Sequence, residues 1–139
     1  DEGIIDHMLK VHDALQICAP AISQKAAIAA LKNKQTSVRE FVKKLSRNRK
    51  LMCGELDKMK EFLEYQKPMG AYYIMVKVKK PKMESFKLAL KTLREARVVV
   101  IPGPAFGPSG KGYLRFSFAG RPEEIKEGFR RLNKWFQSA

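Results

Sequence analysis

Cysteine, histidine and tryptophan are all scarce in this chain, with two, two and one residue respectively. Cys18 and Cys53 lie far apart and outside any Cys-x-x-Cys spacing, which argues against a disulfide framework and a thiolate zinc site. Each reads instead as a small buried hydrophobe. His7 and His12 fall on different sides of a helix and have no serine or cysteine close by in sequence, so no nucleophilic or metal-binding constellation emerges. Apolar runs are short as well. None approaches the ~20 residues that a membrane-spanning helix requires, and the acidic start Asp1-Glu2 lacks the basic stretch of a secretory signal, so a cytoplasmic location is expected. Negative charge is the last deficit: 14 acidic residues face 28 basic ones, for a net charge of +14. Such a balance attracts polyanions without sequence preference. The cations are spread along helical stretches rather than gathered in a tail, which favours a solvated surface over a functional basic patch.

What remains is an ordinary folding composition, 45% apolar and 30% charged over 139 residues, enough for one domain over 1–139 with a real core. Its organisation divides into a helical lead-in, 1–66, and a sheet-plus-helix part, 67–139. Ile4, Ile5, Met8, Leu9, His12 and Leu15 recur at helical spacing and predict an amphipathic helix ending before Pro20. Pro20 opens a second helix, Ala21 to Lys32, which is small or apolar nearly all round and is therefore expected to be closely packed. Ser37 and Glu40 form an S-x-x-E capping box. From it Val38, Phe41, Val42, Leu45, Met52, Leu56, Met59 and Leu63 trace one stripe down a long third helix.

Beyond Lys67-Pro68-Met69-Gly70 the period becomes that of a strand, Ala71 to Val78. Phe86, Ala89, Leu90 and Leu93 mark a helix, Val98 to Ile101 a short buried strand, and Tyr113 to Ala119 another strand. Pro122 opens a last helix with the apolar stripe Ile125, Gly128, Phe129, Leu132 and Phe136, and with Glu123 and Glu124 in its positively polarised first turn. The predicted fold is α+β: three helices followed by β-α-β-β-α, giving a small, mostly antiparallel sheet with helices packed on one face.

Chemistry concentrates in the last strand. Alternation sends Leu114, Phe116 and Phe118 to one face and Tyr113, Arg115 and Ser117 to the other. The apolar trio is the core face, which turns Arg115 away from the helices. There it is either an exposed or salt-bridged arginine or a rigid guanidinium that holds a carboxylate through two parallel hydrogen bonds. The preceding segment, Ile101 to Gly112, superficially suggests a phosphate loop. A Walker A match ending at Lys111 would need glycine at Ala105 and Ser or Thr at Gly112, and three prolines remove backbone donors, so a shaped strand connection with turns at Gly103, Gly107 and Gly110 is expected instead.

Four segments in order resemble one known family. Ala19-Pro20-Ala21-Ile22-Ser23-Gln24-Lys25-Ala26-Ala27-Ile28-Ala29-Ala30-Leu31 resembles the helix after the cofactor-lysine region of class I and II aminotransferases, the fold-type I, pyridoxal-phosphate-dependent group. Pro68-Met69-Gly70-Ala71-Tyr72-Tyr73 resembles their P-x-G-A-F-Y strand entry. Val100-Ile101-Pro102-Gly103-Pro104-Ala105-Phe106-Gly107, then Gly112-Tyr113-Leu114-Arg115-Phe116-Ser117-Phe118-Ala119, resemble their V-x-P-G-x-x-F-G and G-x-x-R-x-S-F-A pair. Order and spacing agree over essentially the whole chain, which is identified as a C-terminal small domain of that family.

The resemblance implies that Arg115 grips the α-carboxylate of an amino-acid or 2-oxo-acid substrate, a positioning role. It also implies pyridoxal phosphate as the cofactor of the parent enzyme, a large N-terminal domain as partner and a homodimeric parent. Nothing here matches the family's Schiff-base lysine motif, its pyridine-nitrogen aspartate or its phosphate-binding residues, which are expected before Asp1. The chain alone is therefore expected to hold no catalytic, cofactor-binding or metal-binding residues, to bind no cofactor stably, and not to transaminate. Two other classes fit part of the sequence. Lys111-Gly112-Tyr113 and Phe118 partly match the RNP1 pattern of RNA-binding domains, although Arg115 and Leu114 break it. A non-catalytic carboxylate-binding domain built on Arg115 is the other.

Overall fold

Residues 2–16 and 18–138 are described in a computed structural model. The chain divides into two compact units, the first running to Arg39 and the second starting at Glu40.

The first unit contains helices α1 (Glu2–Leu15) and α2 (Ala21–Lys32), at the positions the sequence predicts. Neither helix has a buried residue. The apolar stripe of α1 is exposed at Ile4, Met8 and Leu15, and α2, expected to be closely packed, exposes Ile22, Ile28 and Leu31. That expectation is corrected: an apolar surface predicts burial only where it meets a partner, and these side chains are more than half exposed. Cys18 is exposed too, against expectation, whereas Cys53 is buried.

Helix α3 (Thr36–Asp57) begins earlier than its expected capping box. Gln35 takes the N-cap position, because its carbonyl accepts from Arg39 N–H at 3.1 Å, and Ser37 lies inside the first turn. The α3 stripe is not uniform. Met52, Cys53 and Leu56 are buried, while Val38, Phe41 and Val42 remain exposed. The helix also ends before Met59 and Leu63. Met59 sits in the turn after it, and Leu63 opens a strand, β1 (Leu63–Tyr65), inside what the sequence marks as helical lead-in. Apolar residues four apart suit a helix equally well, so three residues of strand were hidden in the stripe.

Strands β2 (Tyr73–Val78), β3 (Ile101–Pro102) and β4 (Tyr113–Ser117) complete a four-stranded sheet ordered β1-β2-β4-β3, with every neighbouring pair antiparallel. The predicted strand at 98–101 starts instead at Ile101, and Val99 is exposed, although Val100 is buried. Between β2 and β3 runs α4 (Ser85–Lys91), continued by a π-helical turn, Thr92–Ala96, that ends on Arg97 in the left-handed region. Glu84 caps α4 by accepting from Phe86 and Lys87 N–H, both at 2.9 Å. These bonds hold its carboxylate below the usual pKa. Phe86 and Leu93, expected on the buried face, are exposed, and Ser85, Leu88, Ala89, Thr92 and Ala96 take that face. The buried set keeps the ordinary helical spacing of three and four residues, one position away from the expected stripe, because the small Ser85 and Thr92 face inward where Phe86 and Leu93 were expected.

Helix α5 (Pro122–Ser138) starts as predicted. Glu124 at its third position accepts from the Arg121 backbone N–H at 3.1 Å and pairs with the Arg121 guanidinium at 2.7 Å. It buries Ile125, Phe129, Leu132 and Phe136, and also Trp135, which the stripe omitted. The Trp135 indole N–H donates to Glu95 Oε2 at 2.6 Å, which lets an amphipathic ring be buried with its polar atom satisfied. One core joins the C-terminal half of α3, α4 and α5 to the inner sheet face of Leu63, Ile74, Val76, Leu114 and Phe116. The Phe116 and Phe129 rings stack at 5.9 Å across that boundary. The architecture is the expected α+β sandwich, with one strand more than the sequence showed.

Candidate functional site

The outer sheet face follows from strand alternation. With Leu114 and Phe116 buried at 1% and 5% exposure, their neighbours Tyr113, Arg115 and Ser117 must emerge on the other side. Register then supplies the surroundings of Arg115. It stands opposite Met75 on β2 and Ile101 on β3, and Tyr73 lies diagonally across, opposite Ser117.

Two rings enclose the guanidinium. Its central carbon lies 4.1 Å from the centroid of Tyr73 and 4.2 Å from that of Phe106. Tyr73 arrives from β2 and Phe106 from the turn after β3, so the rings come from opposite flanks of β4. Each such contact contributes on the order of 0.5–2 kcal/mol, more as water is excluded. These contacts hold the guanidinium from two sides yet use none of its hydrogen-bond donors. Among the described residues no carboxylate or carbonyl accepts from Arg115, in contrast to Arg121, Arg130 and Arg131, which all hold glutamates. The Tyr72 ring lies against Tyr73, tilted by 49° with ring centroids 4.4 Å apart. A hydrogen bond with Tyr73 holds the Tyr72 phenol above its ordinary pKa, with the positive charge of Arg115 acting the other way.

The turn that delivers Phe106 is shaped by two glycines. Two short 3-10 turns, Gly103–Phe106 and Pro108–Gly110, fold the chain back so that a Cβ on Gly103 would collide with the Gly110 carbonyl, and a Cβ on Gly110 with that of Gly103. Gly107 and Gly112 serve differently, by adopting φ of 119° and 83°. This is the shaped connection expected in place of a phosphate loop. Close by on the outer face, Glu64, Lys67, Met69, Tyr73, Met75 and Tyr113 line a groove of about 640 Å³.

Behind the sheet, Asn48 anchors the end of the strand. This fully buried amide donates to Phe118 O at 2.9 Å and to Gly120 O at 2.8 Å, satisfying carbonyls where β4 runs out. Sequence reasoning missed it, because a lone asparagine among helical charges carries no mark. It missed the ring clamp as well. Tyr73 was accessible from alternation, since it shares a face with Met75 and Lys77, but the approach of Phe106 depends on a turn whose path no periodicity encodes. Phe118 occupies the last aromatic position of the RNA-binding pattern and is 1% exposed, so it offers no face to a base.

No family model matches the chain. Individual proteins do. It is 36% identical over 137 residues to the (5-formylfuran-3-yl)methyl phosphate transaminase of Methanocaldococcus jannaschii, covering 97% of this chain and 35% of that protein. It is 36% identical over 133 residues to an aspartate aminotransferase of Pyrococcus abyssi, covering 94% and 34%. In three dimensions it superposes on the aromatic aminotransferase of Pyrococcus horikoshii with a TM-score of 0.85 and 36% identity, covering 97% of this chain and 36% of that one. The chain thus spans about one third of the length of the relatives it matches. In sequence and in fold it is similar to one third of pyridoxal-phosphate-dependent aminotransferases, as a C-terminal fragment of that fold would be.

Proposed function

We propose that this domain grips the α-carboxylate of an amino acid or 2-oxo acid through Arg115, as part of an aminotransferase whose cofactor is held elsewhere. One observation carries the reading: the guanidinium lies against two rings, rises from a strand and keeps donors that no described residue uses, on an outward surface. A carboxylate fits such a fork bidentately, and rigidity lowers the cost of ordering it. The domain's contribution is orientation. It holds the substrate by its acid group so that the amino group is presented to chemistry performed outside these residues. Relatives named for an aspartate, an aromatic and a furanyl phosphate substrate support leaving the rest of the substrate to other parts of the enzyme. A homodimeric parent with a large N-terminal domain fits the same reading.

Pyridoxal phosphate itself does not fit the described residues. Every lysine here is exposed except the half-buried Lys91, whose ammonium lies 3.8 Å from Glu95, and none stands in an enclosed cavity beside an aspartate. The cofactor needs an enclosed amine and an acidic partner for its ring, so the chain alone is inactive in transamination. Mixing chain and cofactor should give no saturable one-to-one absorbance change.

The direct test is titration of L-alanine and pyruvate into the chain, followed through the backbone amide resonances of β4 in wild type and variant alike. Arg115→Ala should weaken binding by roughly 10- to 100-fold, the worth of a charged hydrogen-bonded pair. Equal affinity in the variant would remove Arg115 from the substrate site.

A further inference from the structure

The helix layer, on the side of the sheet away from Arg115, gathers positive charge in a second place. Where the π-helical turn Thr92–Ala96 meets the C-terminal half of α5, Glu95, Arg97, Arg130, Arg131, Lys134 and Trp135 line a cavity of about 350 Å³. Four cations thus face one carboxylate, and that carboxylate is engaged already. Glu95 accepts from the Trp135 indole N–H at 2.6 Å and lies 3.8 Å from the Lys91 ammonium. Arg130 and Arg131 share Glu127, each at 2.7 Å, while among the described residues Arg97 and Lys134 have no acidic partner.

Two local choices here run against what the helices alone would select. Arg97 adopts φ 57° and ψ 37°, and its N–H and that of Val98 both donate to Thr92 O, a helix ending that ordinarily selects glycine. A side chain at such a left-handed position costs stability. Arg130 and Lys134 stand four apart on α5, the spacing at which like charges repel. Neither choice serves the fold, and both bring a cation to the same cavity. Local rules broken together are expected where residues answer to a ligand.

The lining defines that ligand. Arg131 uses only its Nε on Glu127, and Arg130 its Nε and one Nη, so both keep free N–H donors. Guanidinium forks beside an ammonium suit an oxyanion with several acceptor oxygens and more than one negative charge. A single carboxylate would leave most of the repulsion in place. We propose that the cavity bounded by Arg97 and Lys134 is a phosphate-binding site, taking a phosphoryl or diphosphate group. Its occupant relieves the repulsion among four cations and so stabilises the folded chain.

Trp135, the only tryptophan of the chain, lines the cavity and reports on it. Inorganic pyrophosphate is titrated into the full chain at physiological ionic strength, followed by Trp135 fluorescence and by the backbone amide resonances of α5. The wild type should saturate at one ligand per chain. Arg97→Gly and Lys134→Gln should each weaken binding by roughly three- to tenfold, the worth of a charged hydrogen bond. Both variants keep the fold, because glycine suits φ 57° and Lys134 is exposed; Arg97→Gly should melt no lower than the wild type. Lys111→Gln removes the same charge beside Ser85, at the opposite end of α4 and its π-turn, and should leave affinity within about twofold because screening weakens so distant a charge. Glycerol 2-phosphate, titrated alongside, separates the two sources of the group: binding as tight as that of pyrophosphate assigns the phosphoryl end of a larger molecule, and weaker saturable binding assigns a free diphosphate. A response that never saturates, affinity unchanged in both cavity variants, or equal weakening by Lys111→Gln shows only general attraction to a basic surface and overturns the site.

Discussion

The two faces of the sheet are built from alternate residues of the same strands, yet they do opposite work. Inward, Ile74, Val76, Leu114 and Phe116 are sealed at 5% exposure or less under α3, α4 and α5. Outward, Tyr73, Met75, Arg115 and Ser117 stay partly or fully open. The inner face is defined by volume, so any side chain of the right shape would serve. The outer face is defined by direction, because a guanidinium plane has value only if it is aimed. The comparison teaches that neighbouring residues of one strand can answer to different demands, volume on one side and orientation on the other.

Breaking the inner face should give the largest change. Leu114→Ala removes a side chain with 1% exposure and should cost about 2–5 kcal/mol in denaturant unfolding. If carboxylate binding survives in the fraction that remains folded, the two faces are independent; if binding fails while folding holds, they are not. Asn48→Ala sharpens the boundary between them. It leaves the Phe118 and Gly120 carbonyls without their donor and should cost roughly 1–3 kcal/mol. Loss of less than about 0.5 kcal/mol would show that water replaces the amide.

The smallest effect lies on the solvent side of α5. Glu127 accepts from Arg130 and Arg131 at 2.7 Å each, and these bonds bring its carboxyl down to about 2. A depressed folded value stabilises the fold above the unfolded carboxylate pKa, and that contribution is lost as pH falls through about 2. Carbon-detected titration should place the Glu127 midpoint well below the other glutamates, with Arg130→Ala raising it. A midpoint in the ordinary carboxylate range would show that these exposed pairs are open in solution.

Much of this was legible in the sequence, for a physical reason. Burial imposes a period, so the inner trio Leu114, Phe116 and Phe118 could be placed without coordinates, and Arg115 followed by exclusion. Period alone does not say whether a stripe finds a partner. The same pattern that buries Met52 and Leu56 leaves Val38 and Phe41 exposed on the same helix. Nor does it separate a strand from the tail of a helix, which is why Leu63 was assigned to the wrong element. The clamp was half visible: Tyr73 obeys alternation, whereas Phe106 is set by a turn path. Its glycines were expected to supply turns, but Gly103 and Gly110 are required by contact rather than by φ.

That contact makes the segment between the two glycines a closed ring of fixed circumference, clasped at its base by backbone alone. Pro104, Ala105, Phe106, Pro108 and Ser109 all face outward from it. Its tip can therefore be re-lettered without re-threading the strands on either side, and residue 106 becomes an interchangeable fitting. One substitution there changes the ring laid against Arg115, while the scaffold that carries it is left as it was.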